Sequence, residues 1–514
     1  MRTGSLRLAE FAADLNAVRT GEGPEVYRDA AAFFARTFPT YNLKRLVREC
    51  LQRLSGQGGS PIVRLQVSYG GGKTHTLVTL LHLAERGAEH IDQPTVREFL
   101  QFAGLKEVPK ARVALLPFDK FDLHEGLIVY GPDGKKRTVR TPWGALAYQL
   151  AGDAGFARVK AHEEGYDPPA EPLLVDLLRA PAAQGLSTLI LLDEAVWYCR
   201  SAVNEDQRRL GTLKDFFHAL IQAAGKVERC AFVATLIASA AEAQDVTGAQ
   251  VLRALEDEFG RAEETIEPVG KDDLAEVLRR RLFEEIALEP ARRAVVDALM
   301  ARMQQLPIRD SQKSQPAYDR LLHAYPFHPD LLDVLYQKWT QEPIKLQRTR
   351  GVLRVLALAA RHADGSDVSS MLGAPAMLGT SGELSDATLE LVKHCEGDGD
   401  WQKILIGELE KARTVQFDFP SLKTREVEQA VFGTFLYSQP RGQKAEPADL
   451  LALVAHPTID TSAVAEGLNK WRDLSWFLAE EPGIYRLGTQ PNLTHMHVRA
   501  IERVSSKPSA VDDE

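Results

Sequence analysis

Between residues 5 and 55, apolar side chains recur at near-helical spacing: Leu6, Leu8, Phe11, Ala12 and Leu15, then Ala31, Phe33, Phe34, Leu43, Leu46 and Leu51. A helix returns to the same face every three or four residues, so residues 1–55 are expected to form an N-terminal helical layer. The stretch SGQGGS at 55–60 predicts a flexible stop. PIVRLQV follows, dense in β-favouring residues, and runs into a glycine cluster. Beyond the glycines, Leu77, Leu80, Leu81 and Ala84 fall on one side of a predicted helix. The order is therefore strand, loop, helix.

Three more short apolar runs occur, ARVALLPF at 111–118, STLILL at 187–192 and CAFVATLI at 230–237. Continuous runs of this length suit strands covered on both faces, as in parallel sheets. Helical segments such as ALAYQLAG and LKDFFHALIQAAG lie between them, and the alternation predicts an α/β domain over residues 56–269 with a doubly wound, mostly parallel sheet. LIVYGPDGKKRTVR carries a turn sequence between two β-rich arms, which places a hairpin insertion near 127–140. After Pro268 the β signal stops, and Leu274, Val277, Leu278 and Leu282 open a helical domain over 270–412 with loops at 306–317 and 362–386. Residues 413–504 read as three helices and then FLAEEPGIYRLG, two β-prone arms around Pro482 and Gly483, the order of a winged helix. The polar residues 505–514 predict a disordered tail.

A chain of 514 residues exceeds a single hydrophobic core, and 44% hydrophobic with 26% charged residues is ordinary for a folded protein. With 62 basic and 71 acidic residues the net charge is −9, which excludes an overall basic coat for nucleic acid or anionic membrane. Cys50, Cys199, Cys230 and Cys395 are scattered without metal-ligand spacing, as expected of reduced thiols in a cytosol. The N-terminal MRTGSLRLAEFAADL mixes polar and apolar residues, and no later run nears the roughly 18 apolar residues of a membrane span. A cytoplasmic protein with no signal peptide and no membrane partner is expected.

The strongest chemical signal is SYGGGKTHT at 68–76. Backbone N–H groups of a glycine loop at the positive end of a helix can wrap a phosphate chain, and Gly70, Gly71 and Gly72 permit that approach. Lys73 would reach the β- and γ-phosphates of ATP, and the Thr74 hydroxyl would ligate Mg²⁺. His75 stands next in the loop helix and is grouped with the nucleotide contacts by position, although phosphoryl transfer requires no histidine there. The general pattern GxxxxGK[ST] wants a glycine where this chain has Val67. The alternative is a glycine-rich turn with an incidental lysine and threonine.

LILLDEAVWY at 189–198 is an apolar strand ending in two carboxylates. Asp193 would hold Mg²⁺ through water, and Glu194 would polarise the water attacking the γ-phosphate. Carboxylates ending a buried strand are costly unless a cation or donor meets them. The next strand ends in Thr235 and Ser239, and Thr235 is the better placed to sense the γ-phosphate, the plain alternative being a buried threonine bonded to backbone. Arg261, between a helix and the last strand, could project into a neighbouring subunit of a homo-oligomer, or pair with Glu258 or Glu264. Arg350 and Arg354 stand four apart on one helix face and could reach the γ-phosphate from a helical lid, or lie solvated. His328, in YPFHP, reads as a rigid turn and helix start.

Together these features predict a P-loop ATPase of the AAA+ type with a helical lid and a C-terminal winged-helix-like domain. The segments YRDAAAFFARTFPT, SYGGGKTHTL, TPWGALAYQLAG, LILLDEAVWY, AYPFHPDLL and QRTRGVLRVLALA, in this order, resemble the prokaryotic ATPases of domain-of-unknown-function family 499. That resemblance spans most of residues 10–490 and extends to the ATPases of BREX-type phage-exclusion modules, often encoded beside DNA methyltransferases and helicases. It implies a role in defence against phage or other foreign DNA, and it carries over Lys73, Thr74, Asp193 and Glu194, with Arg350 and Arg354 behind them. Members of that family tend to be longer, so either a short member or an N-terminal portion is expected.

Two functions follow as expectations. One is an ATP-hydrolysing motor or remodeller acting on DNA or a DNA-bound complex. The other is a nucleotide-gated switch or scaffold whose ATP-bound form recruits an effector such as a DNA methyltransferase or nuclease. The winged-helix segment does not decide between them, because residues 421–504 hold nine Lys or Arg against ten Asp or Glu. Arg441, Lys444, Lys470, Arg472 and Arg486 are the residues from which a basic stripe would have to be built.

Overall fold

In the computed structural model the apolar runs become strands whose successive side chains point to opposite faces of one sheet. Described are residues 13–65, 72–236, 245–260, 264–270, 272–284, 289–340, 346, 348–366, 371–395, 400–439, 443–479, 483–492, 497 and 501. Leu6, Leu8, Phe11, Gly70, Gly71, Ser239, Arg261, Arg441 and the predicted tail lie outside them. The chain divides into two compact units, Arg7–Arg280 and Arg281–Glu514.

In the first unit the strands are β1 (Ile62–Leu65), β2 (Ala111–Pro117), β3 (Leu127–Tyr130), β4 (Lys136–Val139), β5 (Ser187–Asp193), β6 (Cys230–Thr235) and β7 (Glu264–Ile266). Five of them form one sheet in the order β2-β5-β6-β1-β7, with every neighbouring pair parallel. Ile62, Leu116, Ile190, Leu192, Phe232 and Ala234 face one core, shared with the helices Pro142–Gly165, Ala195–Glu205, Arg209–Lys226 and Val246–Phe259. Their neighbours Val63, Leu65, Leu115, Leu189, Leu191 and Val233 face the other core. That second core contains Phe33, Phe34, Leu46 and Leu77, so the N-terminal helices and the helix Lys73–Arg86 cover this face. Both faces are dry, which explains why the strands read as unbroken apolar runs and not as alternating ones.

β3 and β4 pair antiparallel with Leu127 opposite Val139. Leu127, Val129 and Val139 enter the first core while Ile128 is exposed, the alternation of a strand with one wet face.

The second unit is mainly helical, with helices Glu289–Met303, Gln315–Ala324, Pro329–Gln337, Arg348–Ser366, Asp386–Val392 and Trp401–Gln416. Three further helices, Glu426–Tyr437, Pro447–Leu453 and Thr461–Leu474, precede two arms joined by an antiparallel bridge between Leu478 and Leu487. Tyr485 on the second arm also bridges back to Ala445, ahead of the middle helix. Phe435 packs between Trp339 and Trp401, with ring centroids 5.4 and 5.5 Å away. The fully buried Glu408 is met by Trp471 Nε1–H at 2.9 Å and Lys411 Nζ at 2.7 Å, which satisfies a charge that burial would otherwise penalise. No helix among the described residues is long and apolar enough to cross a membrane.

Candidate nucleotide and metal site

Gly72 caps the start of the helix Lys73–Arg86 in the left-handed region, with φ 86°. A side chain there would be strained by the backbone and would bring its Cβ within 3.2 Å of Val269 Cγ2. The cap supplies no side-chain acceptor, so the helix opens with its N–H groups uncapped by Gly72. One turn on, the Thr76 hydroxyl donates back to Gly72 O at 2.9 Å. Such a helix start favours an anion. Lys73, the first helical residue, is only 8% exposed.

Parallel packing brings the ends of β5 and β6 to the same edge as the exit from β1, and β6 lies between the other two. Asp193 ends β5 and is buried, and Thr235 ends β6 and is buried. The Thr235 hydroxyl donates to Asp193 Oδ1 at 2.6 Å and accepts the backbone N–H of Glu194 at 2.8 Å. Glu194 takes a left-handed conformation, φ 56° and ψ 50°, as it turns the chain into the helix Ala195–Glu205. A non-glycine residue there costs about 1–2 kcal/mol, and the Thr235 bond helps hold it. Val196 N–H, donating to Leu236 O at 2.8 Å, fastens the same turn to the chain leaving β6.

Burial pushes the Asp193 carboxyl up to about 6; the Thr235 hydroxyl bond pulls the other way, and the Asp119 carboxylate raises it further. The Thr74 hydroxyl and the Lys73 charge both favour its ionised form. Loop helix and carboxylate strand are thus in direct electrostatic contact. Asp119 and its neighbours are a part of the site absent from the sequence reading. β2 runs beside β5 with Pro117 opposite Asp193, so the turn Phe118–Lys120 delivers Asp119 to the same strand edge. Lys120 Nζ lies 2.8 Å from Asp119 Oδ2 and 3.1 Å from Asp14 Oδ2. Burial lowers the Lys120 pKa, but these two carboxylates outweigh it and the net shift is upward. The sequence signal was LLPFDK, an acid and a base just past the tip of a buried strand.

His75 points elsewhere. Its Nε2 is 3.1 Å from Thr37 Oγ1 and its ring lies 4.5 Å from the Phe33 ring, so it ties the loop helix to the N-terminal layer. Thr40, in the same layer, donates its hydroxyl to Pro268 O at 2.5 Å, holding the chain just after β7. Arg354 pairs with Glu390 at 3.4 Å inside the second unit, on the same helix as Arg350.

The donor set fits Mg²⁺ carried in with a nucleotide. Among the described residues no three His, Cys, Asp or Glu side chains gather into a metal cage. A magnesium ion of this kind requires no such cage, because substrate phosphates and water would supply most of its ligands. Thr74 and Asp193 would be the protein's donors, close enough that the Thr74 hydroxyl favours the ionised form of Asp193.

No curated protein sequence matches the chain. A solved structure of the ORC2 protein of Aeropyrum pernix, in ADPNP–ADP complexes, is similar at 14% identity, covering 92% of this chain and 94% of that one, with a TM-score of 0.30. That likeness is too slight to carry an argument about fold or chemistry. The DUF499 N-terminal domain matches residues 6–265 and the DUF499 second domain matches residues 270–372. With the first of these alone spanning half its length, the chain belongs to the DUF499 family.

Proposed function

We propose that this protein is a Mg²⁺-dependent ATPase of the AAA+ type that works as a homo-oligomeric motor or remodeller in a prokaryotic module directed against phage or other foreign DNA. The observation that carries the ATPase reading is the Thr235 hydroxyl. It joins Asp193 to the backbone of Glu194 at the edge where Lys73 and Thr74 begin their helix. A strand placed between the loop strand and the carboxylate strand, ending in a polar residue that touches both carboxylate positions, supports the AAA+ assignment.

In this reading Gly70, Gly71 and Gly72 admit the phosphates and Lys73 holds the β- and γ-phosphates. Thr74 would hold the metal, and Asp193 would hold it through water. The chemistry that Mg²⁺ would supply when bound there is positive charge against the phosphate oxygens. Glu194 orients the attacking water and takes its proton, and Thr235 keeps that carboxylate in register with Asp193. Arg261 reaches a neighbouring subunit's nucleotide, and Arg350 and Arg354 sense the γ-phosphate from the lid. Asp119 and Lys120 set the charge around Asp193 from the side.

One observation favours the second reading, a nucleotide-gated scaffold that recruits an effector such as a DNA methyltransferase or nuclease. Three helices followed by paired arms support a winged-helix-like module, yet its third helix exposes Ser462, Ala465, Glu466, Asn469, Lys470 and Asp473. Lys470, the basic residue among them, is near Asp418 at 3.6 Å and Glu466 at 4.0 Å. Arg472 lies over the Tyr485 ring, 5.0 Å from its centroid. A DNA-reading helix presents a basic stripe, so this helix suits a protein partner better. ATP turnover measured with double-stranded, single-stranded and no DNA across a salt series separates the two. DNA stimulation that fades with salt supports the motor, and DNA-independent turnover supports the scaffold.

A further inference from the structure

The first turn of the helix Lys73–Arg86 carries the lysine and threonine assigned to the nucleotide, and the N-terminal layer grips that turn through His75. The grip comes from a short segment that leaves the helix Ala30–Arg36 at Thr37 and enters the helix Tyr41–Ser55. Thr37 is buried, and its hydroxyl donates to Phe33 O at 2.8 Å, which commits its one hydrogen. Towards His75 Nε2, 3.1 Å away, the same oxygen therefore accepts, so Nε2 carries a hydrogen and donates it. The imidazole also lies against the fully buried Phe33, with centroids 4.5 Å and planes 32° apart. Held at its edge and on its face, the ring fixes the first helical turn one residue from Thr74 and two from Lys73.

The same segment reaches the chain on the other side of the glycine cap. Thr40 Oγ1 donates to Pro268 O and accepts the Leu43 N–H at 3.0 Å, while Asn42 Nδ2 donates to Glu267 O at 2.8 Å. Val269 follows directly, and its Cγ2 would stand 3.2 Å from a Cβ placed on Gly72. Thr95, in the helix Pro94–Ala103, donates its hydroxyl to Phe34 O at 2.9 Å and so anchors the layer just ahead of Thr37. Residues 37–42 thus span from the loop helix to the chain beside its cap.

Such a strap bears on affinity and not only on packing. Glycine backbone has the most freedom to lose, so a helix start preceded by glycines gains most from being held in place by a neighbour. When the competent arrangement is only partly populated, apparent affinity falls by that fraction.

We propose that residues 37–42 set nucleotide affinity, with His75 as the positioning residue: its hydrogen bond to Thr37 holds the first turn of the loop helix where it receives the phosphates. This role rests on the ATP reading of Lys73 and Thr74. By linkage it runs both ways, so bound ATP tightens the N-terminal layer. Calorimetry with Mg²⁺–ATP on the full chain, together with steady-state turnover and amide hydrogen exchange, tests it. His75→Ala should raise Kd and KM for ATP about tenfold, the scale of one hydrogen bond. The turnover number at saturating ATP should fall far less, because bound nucleotide selects the competent arrangement. Thr37→Val, nearly unchanged in shape, should act alike, and the double variant should be no weaker than either single one, since both break the same bond. His75→Gln, whose amide N–H has about the reach of Nε2, should restore most of the affinity. In the parent, exchange within Ala30–Arg36 should slow when ATP binds, and in His75→Ala that slowing should disappear. Circular dichroism verifies folding, and Thr37→Val decides the matter if His75→Ala does not fold. A contact of structural importance alone would lower the melting temperature and leave the Kd of the folded protein unchanged. The role is overturned by parental Kd in the folded variants, by His75→Gln binding as weakly as His75→Ala, or by exchange in Ala30–Arg36 that ignores ATP. A parent that binds no ATP overturns the nucleotide reading and this role with it, whereas parental affinity in the variants removes this role alone.

Discussion

The Thr235 hydroxyl stands 2.6 Å from Asp193 Oδ1 and donates to it, while its remaining lone pairs take the Glu194 N–H. A single side chain thereby ties the Asp193 carboxylate to the Glu194 backbone at the end of β5. Replacing Thr235 by valine keeps the shape and removes both bonds. Turnover of ATP should fall roughly 10- to 100-fold, the equivalent of about 1.5–3 kcal/mol for a bond to a charged group. Nucleotide affinity should change far less, and Thr235→Ser should restore most of the rate. Steady-state kinetics on the three proteins tests this; parental turnover in Thr235→Val would reduce Thr235 to a packing residue.

Asp193 predicts an unusual pH dependence of stability without nucleotide. Burial and the Asp119 charge hold its carboxyl at about 6 in the folded chain, above the ordinary aspartate value of 3.8. The folded state therefore binds this proton more tightly than the unfolded one. The resulting stability is fully present below about pH 4 and is lost as the pH rises through 6. Asp193→Asn cannot titrate, so it should gain on the parent by on the order of 3 kcal/mol between pH 4 and 7. Paired denaturant melts at the two pH values measure the gain directly. A stability difference independent of pH would mean that Asp193 is not held in this state.

Much of this site was legible because its parts are local in sequence. Strands buried on both faces leave unbroken apolar runs, and LILLDEAVWY marks both the strand and the carboxylates at its end. What could not be read depends on which strands are neighbours. Asp119 matters because β2 lies against β5, a pairing that no periodicity encodes. His75 follows the glycine loop in sequence, yet its ring is claimed by Phe33 and Thr37 from a layer that packs only after the chain has folded. His328, by contrast, reads from YPFHP as a helix start, which it is.

Arg261 provides the test of assembly. An arginine supplied by a neighbouring subunit can accelerate phosphoryl transfer by ~10³-fold or more, because it stabilises charge in the transition state. Arg261→Ala should therefore bind ATP normally and hydrolyse it slowly. Mixing it with Lys73→Ala subunits should recover part of the rate, since each supplies what the other lacks. Full activity of Arg261→Ala, or efficient hydrolysis by a protein that stays monomeric with ATP, would make Arg261 a surface residue.

The most direct measurement compares Lys73→Ala with Glu194→Gln, following ATP binding and hydrolysis separately. Lys73 serves phosphates and not the hydrophobic core, so Lys73→Ala should stay folded and lose nucleotide binding. Glu194→Gln should bind Mg²⁺–ATP like the parent while hydrolysis slows by ~10²-fold or more, the scale expected for a positioned proton acceptor. Binding lost in the first variant and hydrolysis lost in the second is the outcome this account predicts. Parental ATP affinity in Lys73→Ala, or near-parental turnover in Glu194→Gln, would contradict it.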